Sequence, residues 1–442
     1  MIETIFALAS APGRAGVAVI RVSGPAAGPA LDLIAGAPRP TPRAAALRRF
    51  SDARGVEIDR GLAFWFPGPG SFTGEDCAEF HVHGGPAVIA AMADGLVAAG
   101  LRPAEAGEFT RRAFENGKMD LTEAEGLADL IDAETEGQRA QALSQMTGAL
   151  RQLYETWREQ LIGVLAALEG EIDFPDEDDV PDHLSETAGA PLDSLMAALD
   201  DHLDDDRRGE RVREGFTIAI IGAPNAGKSS LLNALARREA AIVADIPGTT
   251  RDVVEVRLVL GGFPVILADT AGLREAVDQV EAEGVRRALV RAEDADLRLG
   301  VVDVSRETPS EVVRRLRPGD ALVLNKTDLA NPSEIERSAP AARFKIAAKS
   351  GAGLDALERW IGETVSERLS RREAPALSRA RHRQAVRRAL EHLQAARGRL
   401  ADAPELAAAE VHLALRALES LTGRIDVEDV LDRVFSQFCI GK

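Results

Sequence analysis

Residues 222–229 read Gly-Ala-Pro-Asn-Ala-Gly-Lys-Ser, and they decide the fold around them. An apolar run, Phe216 to Ile221, precedes them, and a helical stretch starts at Ser229. That is the strand–loop–helix setting a phosphate-binding loop requires. The spacing G-x-x-x-x-G-K-S has a physical purpose. Its glycines let successive backbone N–H groups curl around phosphate oxygens at the positive end of the following helix. Lys228 reaches the terminal phosphates, and the Ser229 hydroxyl is placed to ligate Mg2+. A chance glycine turn would not need the flanking strand and helix.

Four further signals follow in order. Pro247-Gly248-Thr249-Thr250-Arg251-Asp252 reads as a loop, in which Thr250 can place its hydroxyl on Mg2+ when a γ-phosphate is present. Asp269-Thr270-Ala271-Gly272 follows the strand Pro264 to Ala268. The aspartate can hold Mg2+ through water, and Gly272 lets a backbone N–H approach the γ-phosphate. Asn325-Lys326-Thr327-Asp328 follows the strand Ala321 to Leu324. The Asp328 carboxylate can accept from the N1–H and 2-amino group of guanine, a donor pair that adenine lacks, so it selects GTP over ATP. Ala347-Ala348-Lys349 follows a short strand at Phe344 to Ile346 and can present a backbone N–H to the guanine carbonyl. Leu273, after the DTAG segment, stands where many GTPases carry a water-orienting glutamine. Another group must position the water. Glu281, a short loop downstream, is a candidate, and a solvent-exposed glutamate at a helix start is the competing reading of it.

The rest of the chain bounds the setting. Its 442 residues suggest about three domains. Aromatics are only 4% against 45% hydrophobic residues overall, so aliphatic side chains must fill the cores. Two cysteines far apart, Cys77 and Cys439, argue against a disulfide scaffold and fit a reducing cytosol. Met1 to Ser10 is apolar but carries Glu3 and no basic leader, and no apolar stretch is long enough to span a bilayer, so a cytoplasmic protein without membrane contact is expected. The net charge of −18 repels nucleic acid on average, so RNA binding would need a local basic patch.

Texture divides the chain into segments. Residues 1–117 mix short β-like runs, clearest at Val17 to Val22 and Leu62 to Phe66, with a helix around 86–100, and read as a compact α+β module. From 118 to 210 helical periodicity takes over: Leu153, Trp157, Leu161, Leu165 and Leu168 share one stripe. Residues 211–370 alternate strands with amphipathic helices, the sign of a parallel α/β sheet. From 371 to 442 the helical texture returns, with Val411, Leu415 and Leu418 in a stripe. The expected architecture is an α/β domain inserted into a discontinuous helical domain, behind an N-terminal module.

Three features outside the nucleotide motifs narrow the family. The chain ends in Cys439-Ile440-Gly441-Lys442. Its N-terminal module holds Ser71-Phe72-Thr73-Gly74-Glu75-Asp76 and His81-Val82-His83-Gly84-Gly85-Pro86. The segment from Gly107-Glu108-Phe109 to Asp120-Leu121 leads into the interrupted helical domain. Together with the PNAGKS, GTTRD and DTAGL segments, these resemble the MnmE (TrmE) family of tRNA-modification GTPases along essentially the whole chain.

The resemblance implies a multidomain α+β and α/β protein: a folate-binding-like N-terminal domain, a discontinuous helical domain and an inserted Ras-like P-loop GTPase domain. It implies GTP contacts at Asn225, Ala226, Gly227, Lys228, Ser229 and Ser230, at Ala244, Asp245, Ile246, Pro247, Gly248, Thr249 and Thr250, and at Asp269, Thr270, Ala271, Gly272, Asn325, Lys326, Asp328, Ala347, Ala348 and Lys349. It implies Mg2+ on Ser229 and Thr250, and K+ on Asn225, Ala244, Ile246 and Thr249, where the ion offsets developing negative charge. The family's catalytic glutamate matches Glu281. A reduced folate such as 5-formyltetrahydrofolate is implied at Arg21, Glu79, Lys118 and Lys442, with Cys439 matching the signature cysteine. The implied partners are a second copy, an MnmG-like FAD protein forming a heterotetramer, and tRNA, whose wobble uridine receives a C5 aminomethyl or carboxymethylaminomethyl group.

Other readings stand beside these. Arg21 can be a strand-edge surface residue, and Cys439 a small buried hydrophobe. His81 and His83 have the spacing of a metal pair but no companion ligands, so turn or core histidines are expected. Asp176 to Asp179 reads as a solvated interhelical loop ahead of a metal site. Arg371 to Arg399 holds nine arginines and two glutamates, either a tRNA or partner surface or a solvated helix face. The competing function is a ribosome-assembly GTPase switch without modification chemistry.

Overall fold

The computed structural model describes residues 3–173, 184–238, 255–269, 294–306, 310–330, 342–370, 375–425, 428–436, 438 and 441. The N-terminal part comprises β1 (Ile5–Leu8), β2 (Ala15–Ser23), α1 (Ala27–Ala35), β3 (Ala46–Ser51), β4 (Glu57–Phe66), β5 (Cys77–Gly84), α2 (Pro86–Ala98) and β6 (Arg102–Pro103). Its sheet runs β3-β4-β5-β2-β1-β6, antiparallel except for the β1–β6 pair. Alternation sorts the faces: Ala18, Ile20 and Val22 of β2, with Ala63, Phe80 and Val82, point into a core shared with Leu31, Met92 and Leu96 from α1 and α2. The strand expected from Leu62 begins earlier, at Glu57, because Asp59 and Arg60 still pair with β3.

Helices follow: α3 (Glu108–Glu115), α4 (Leu121–Ile131), α5 (Glu136–Met146), α6 (Ala149–Asp173), α7 (Leu184–Leu203) and α8 (Arg208–Glu214). Asp120 caps α4: its Oδ1 accepts from the Glu123 N–H at 2.8 Å, and Glu123 Oε2 accepts from the Asp120 N–H at 2.7 Å, a reciprocal capping box. The stripe of α6 is buried as expected at Trp157, Leu161, Leu165 and Leu168, joined by Tyr154 and Val164, and Leu153 is only half-buried. The acidic run at 176–179 lies outside the described residues.

The second sheet is built from β7 (Phe216–Ile221), α9 (Lys228–Arg238), β8 (Glu255–Leu260), β9 (Phe263–Asp269), β10 (Leu297–Asp303), α10 (Ser310–Val313), β11 (Ala321–Asn325), β12 (Ala342–Lys345) and α11 (Leu354–Leu369). Its order is β12-β11-β10-β7-β9-β8, all parallel except the β8–β9 hairpin. Strands covered on both faces are mainly apolar, and β10 and β11 are buried along their whole length, with Arg298, Asp303 and Asn325 as their polar members. The last strand ends at Lys345, one residue short of the expected Ile346.

The chain closes with α12 (Ala380–Arg399), α13 (Pro404–Thr422) and α14 (Glu428–Phe435). α6 and α13 run antiparallel, stitched by Arg158–Glu419 at 2.9 Å, Arg424–Glu155 at 3.0 Å and His412–Glu169 at 2.9 Å. On α13 the buried line is Val411, Ala414, Leu418 and Leu421, with Leu415 half-buried. Two compact units result. One holds 1–128, 145–188 and 395–442; the other holds 129–144 and 189–394. Among the described residues no helix is long and apolar enough to cross a membrane.

Candidate functional site

Strand order reverses at β7: the chain leaves it for β8 and β9 on one side, then β10 to β12 on the other. In open α/β sheets the crevice beyond the strand ends at such a point is where ligands bind. The loop after Ile221 lies there. Gly222 has φ +155°, and a Cβ on it would come within 2.3 Å of the Val301 carbonyl oxygen. Gly227, at φ +97°, has room only for hydrogen, because a Cβ would meet Asn325 Nδ2 at 2.1 Å. Lys228 opens α9, one residue before the expected start, and its Nζ folds back to donate to the carbonyls of Gly222 (2.7 Å) and Ala223 (2.8 Å).

The next motifs converge on this loop. Ser229 Oγ donates to Asp269 Oδ2 at 2.7 Å, placing a hydroxyl and a carboxylate side by side as a hard cation requires. Asn325, only 2% exposed, donates from Nδ2 to the Ala226 carbonyl (2.9 Å) and accepts the Ala348 N–H on Oδ1 (3.1 Å). Ala347 N–H donates to Ala352 O at 2.9 Å, so both alanine amides are engaged within the chain. Thr327 Oγ1 donates to Ile346 O at 3.0 Å, tying the same two segments. Asp328 is exposed and has no partner among the described residues, nor has the Lys349 N–H.

One participant escaped the sequence reading. Asp303 ends β10, is buried, and accepts from Lys326 Nζ at 2.5 Å and from Ser305 Oγ at 2.6 Å. Burial pushes its carboxyl up, but the bonds from Lys326 and Ser305 outweigh that and hold it below the usual range. The only sequence signal was a carboxylate closing a strand. Ala244, Asp245, Ile246, Pro247, Gly248, Thr249, Thr250, Thr270, Ala271, Gly272, Leu273 and Glu281 lie outside the described residues, as do Cys439 and Lys442.

In the N-terminal part, Arg21 of β2 and Glu79 of β5 are register partners and form an ion pair at 2.9 Å. Arg21 therefore lies on an interior strand, which corrects the strand-edge reading. Its guanidinium sits 5.3 Å from the Phe72 ring centroid. Lys118 Nζ donates to the Pro69 carbonyl at 2.9 Å. Behind Arg21 runs a polar chain the sequence did not reveal. Ser23 Oγ donates to Glu75 Oε2 at 2.6 Å, and Arg112 joins Glu75 (3.0 Å) to Glu108 (2.8 Å). Gly441 closes against β1, where a Cβ would strike the Leu8 carbonyl. His81 and His83 are neither turn nor core residues. They alternate with buried Phe80 and Val82 along β5, and each faces a carboxylate: Glu79 at 3.2 Å and Asp59 at 2.8 Å.

The arginine-rich segment also divides. Arg379 pairs with Asp129 at 2.7 Å, and Arg383 with Asp205 at 2.6 Å and Glu210 at 3.2 Å, so these two are internal ties rather than surface cations. Arg399 pairs with Glu410. Arg387 and Arg388 are exposed without partners among the described residues.

Comparison with known proteins follows the same division. Residues 4–118 match the family described as GTP-binding protein TrmE N-terminus, and residues 121–439 match the MnmE helical domain. The chain is 66% identical over 443 residues to a protein of Maricaulis maris named tRNA modification GTPase MnmE, covering 100% of both. Proteins of the same name from Phenylobacterium zucineum and Parvibaculum lavamentivorans are 53% and 55% identical, again over 100% of both chains. Among solved structures, the G domain of the T. maritima FeoB iron transporter matches 34% of this chain and 97% of its own at 24% identity. Its TM-score is 0.26, so the fold rests here on the sheet order and loop geometry alone.

Proposed function

This chain belongs to the MnmE (TrmE) family of tRNA modification GTPases, and on that premise we propose that it hydrolyses GTP to drive C5 modification of the wobble uridine of tRNA. The observation that carries the GTP reading is Asn325, which binds the phosphate loop at Ala226 and the Ala348 amide with one carboxamide. That joins the phosphate end of the site to its base end before any ligand arrives. Asp328, exposed and unengaged, accepts the guanine N1–H and 2-amino group, and the Lys349 amide donates to the guanine carbonyl. The phosphate-loop amides and Lys228, once released from its carbonyl partners, hold the phosphates.

Ser229 with Thr250 would hold Mg2+; Asn225, Ala244, Ile246 and Thr249 would hold K+. The Ser229–Asp269 pair fits the first, and the exposed Asn225 side chain, without a partner among the described residues, fits the second. These cations supply positive charge where the transferring phosphoryl group gains negative charge. Leucine at 273 cannot orient water, so Glu281 positions the nucleophile through a bridging water.

The domain reading is 1–117 folate-binding-like, 118–210 and 371–442 helical, and 211–370 GTPase. Arg21, Glu79, Lys118 and Lys442 take a reduced folate such as 5-formyltetrahydrofolate; the Arg21–Glu79 pair between Phe72 and His81 suits a flat ring with donor and acceptor edges. Cys439 is the candidate for one-carbon chemistry. The protein works in the cytoplasm as a homodimer with an MnmG-like FAD protein. The homodimer is supported by the outer face of the N-terminal sheet. Leu47 and Leu62 are register partners there, 78% and 38% exposed, and Val17 of β2 is also exposed.

The test is direct. K+ should stimulate hydrolysis far more than Na+, and Glu281→Ala should abolish turnover with GTP binding intact. Cells lacking the protein should lose the wobble modification. Normal modification there, with defective ribosomal particles, would favour the ribosome-assembly switch instead.

A further inference from the structure

We propose that Asp303 is a positioning residue for the phosphate loop: acting through Lys326, it sets the backbone of Asn225 and hence the direction in which the Asn225 side chain reaches for the monovalent cation. The proposal rests on the K+ reading above and adds to it a residue that no motif contains.

The geometry is a relay of three residues. Asp303 and Asn325 are register partners on adjacent parallel strands, so Lys326 leaves its strand beside the Asp303 carboxylate. Lys326 Nζ lies 2.5 Å from Asp303 Oδ2 and 2.9 Å from the Asn225 carbonyl oxygen. Consecutive residues, Asn325 and Lys326, thus hold the consecutive carbonyls of Ala226 and Asn225. Asn225 has φ +65° and Lys326 φ +66°, a left-handed conformation uncommon outside glycine, although asparagine adopts it more readily than most residues. The bonds of Lys326 Nζ to the Asn225 carbonyl and the Asp303 carboxylate help to hold both residues there.

Asp303 cannot turn away. Its Oδ1 accepts the Ser305 hydroxyl at 2.6 Å and the Ser305 N–H at 3.0 Å, leaving Oδ2 for Lys326, and its side chain is 3% exposed. The pair is therefore short and charge-assisted, with its carboxylate end shielded from water. With its carbonyl held, Asn225 has only its carboxamide oxygen to offer a cation, and that carboxamide has no partner among the described residues. Removing the carboxylate frees Lys326 and lets the Asn225 peptide relax out of its left-handed conformation. The cation end should suffer more than the base end, because Asn325 still holds Ala226 and Ala348.

The test uses the full chain carrying Asp303→Ala, Asp303→Asn or Ser305→Ala. K+ is titrated against two readouts, the rate of GTP hydrolysis and the thermal midpoint of the protein bound to a non-hydrolysable GTP analogue. For Asp303→Ala the K+ concentration giving half the effect should rise about tenfold in both readouts, the loss of one charge-assisted bond. Analogue affinity in saturating K+ should fall less than about threefold on the same scale. Asp303→Asn, which keeps an acceptor, should recover most of the shift, and Ser305→Ala should lie between. An unchanged K+ midpoint in folded Asp303→Ala, beside a clear wild-type response, overturns the proposal alone. Equal wild-type behaviour in K+ and Na+ overturns the cation reading and this proposal with it.

Discussion

Asn325 donates its side-chain amide to the carbonyl of Ala226, 99 residues earlier in the chain, at 2.9 Å, and both residues are buried. The same carboxamide accepts the Ala348 N–H. Asn325→Ala removes both bonds and leaves a carbonyl and an amide without their partner, a cost of about 1–3 kcal/mol. Urea unfolding should show that loss. Titration with a fluorescent GDP should show a larger one, because the phosphate end and the base end then move independently.

Asp328 separates specificity from stability. It is exposed and engages no described residue, so Asp328→Asn should change stability by less than about 0.5 kcal/mol. Its amide donates where guanine also donates. GTP affinity should fall by about a hundredfold or more, with preference moving to xanthosine triphosphate. Competition between the two nucleotides measures the switch; unchanged preference would remove Asp328 from base recognition.

Glu108 predicts a pH dependence in the N-terminal part. Burial pushes its carboxyl up, but Arg102, the Glu105 N–H and Arg112 prevail and bring it from 4.5 down to about 2. A carboxyl with a lowered folded-state pKa contributes stability that is full above 4.5 and is lost as pH falls toward 2. Its contribution at neutral pH is about 3 kcal/mol at most. Glu108→Gln should therefore lie below wild type in thermal midpoint at pH 7, with the gap closing between pH 4.5 and 2. A gap constant through that window would contradict the assignment.

Arg383 and Arg387 should behave as opposites. Arg383 donates to Asp205, Glu210 and the Leu203 carbonyl in a buried setting. Arg383→Met leaves those carboxylates under-neutralised and should cost about 3 kcal/mol or more. Arg387→Gln, on the exposed face, should stay within about 0.5 kcal/mol of wild type. If the segment contacts tRNA, Arg387 and Arg388 are the pair whose loss weakens binding and lowers its salt sensitivity, which a filter-binding titration at several salt concentrations reads.

Legibility in the sequence followed the range of the forces. The phosphate loop was readable because glycines at 222 and 227, Lys228 and Ser229 obey local rules of backbone freedom and helix-end charge. β11 was recognisable as an element from Ala321 to Leu324 because a strand buried on both faces is mainly apolar. The stripes on α6 and α13 were right in period and phase, with Trp157, Leu161, Leu165, Leu168, Val411 and Leu418 buried, and only Leu153 and Leu415 are half-buried. The strand-edge alternative for Arg21 stayed open in the sequence because nothing local says that β2 lies between β1 and β5.

The nucleotide class, the order of its motifs and the family were thus written in short stretches of chain, where each residue's work is done within a turn or a strand end. Tertiary structure alone decided which residues far apart became partners. Register across β10 and β11 put Asp303 beside Lys326, and burial turned Arg379 and Arg383 from surface charges into internal ties. Ion pairs and shared carbonyls depend on distances between strands and helices, and those distances exist only once the sheet has formed.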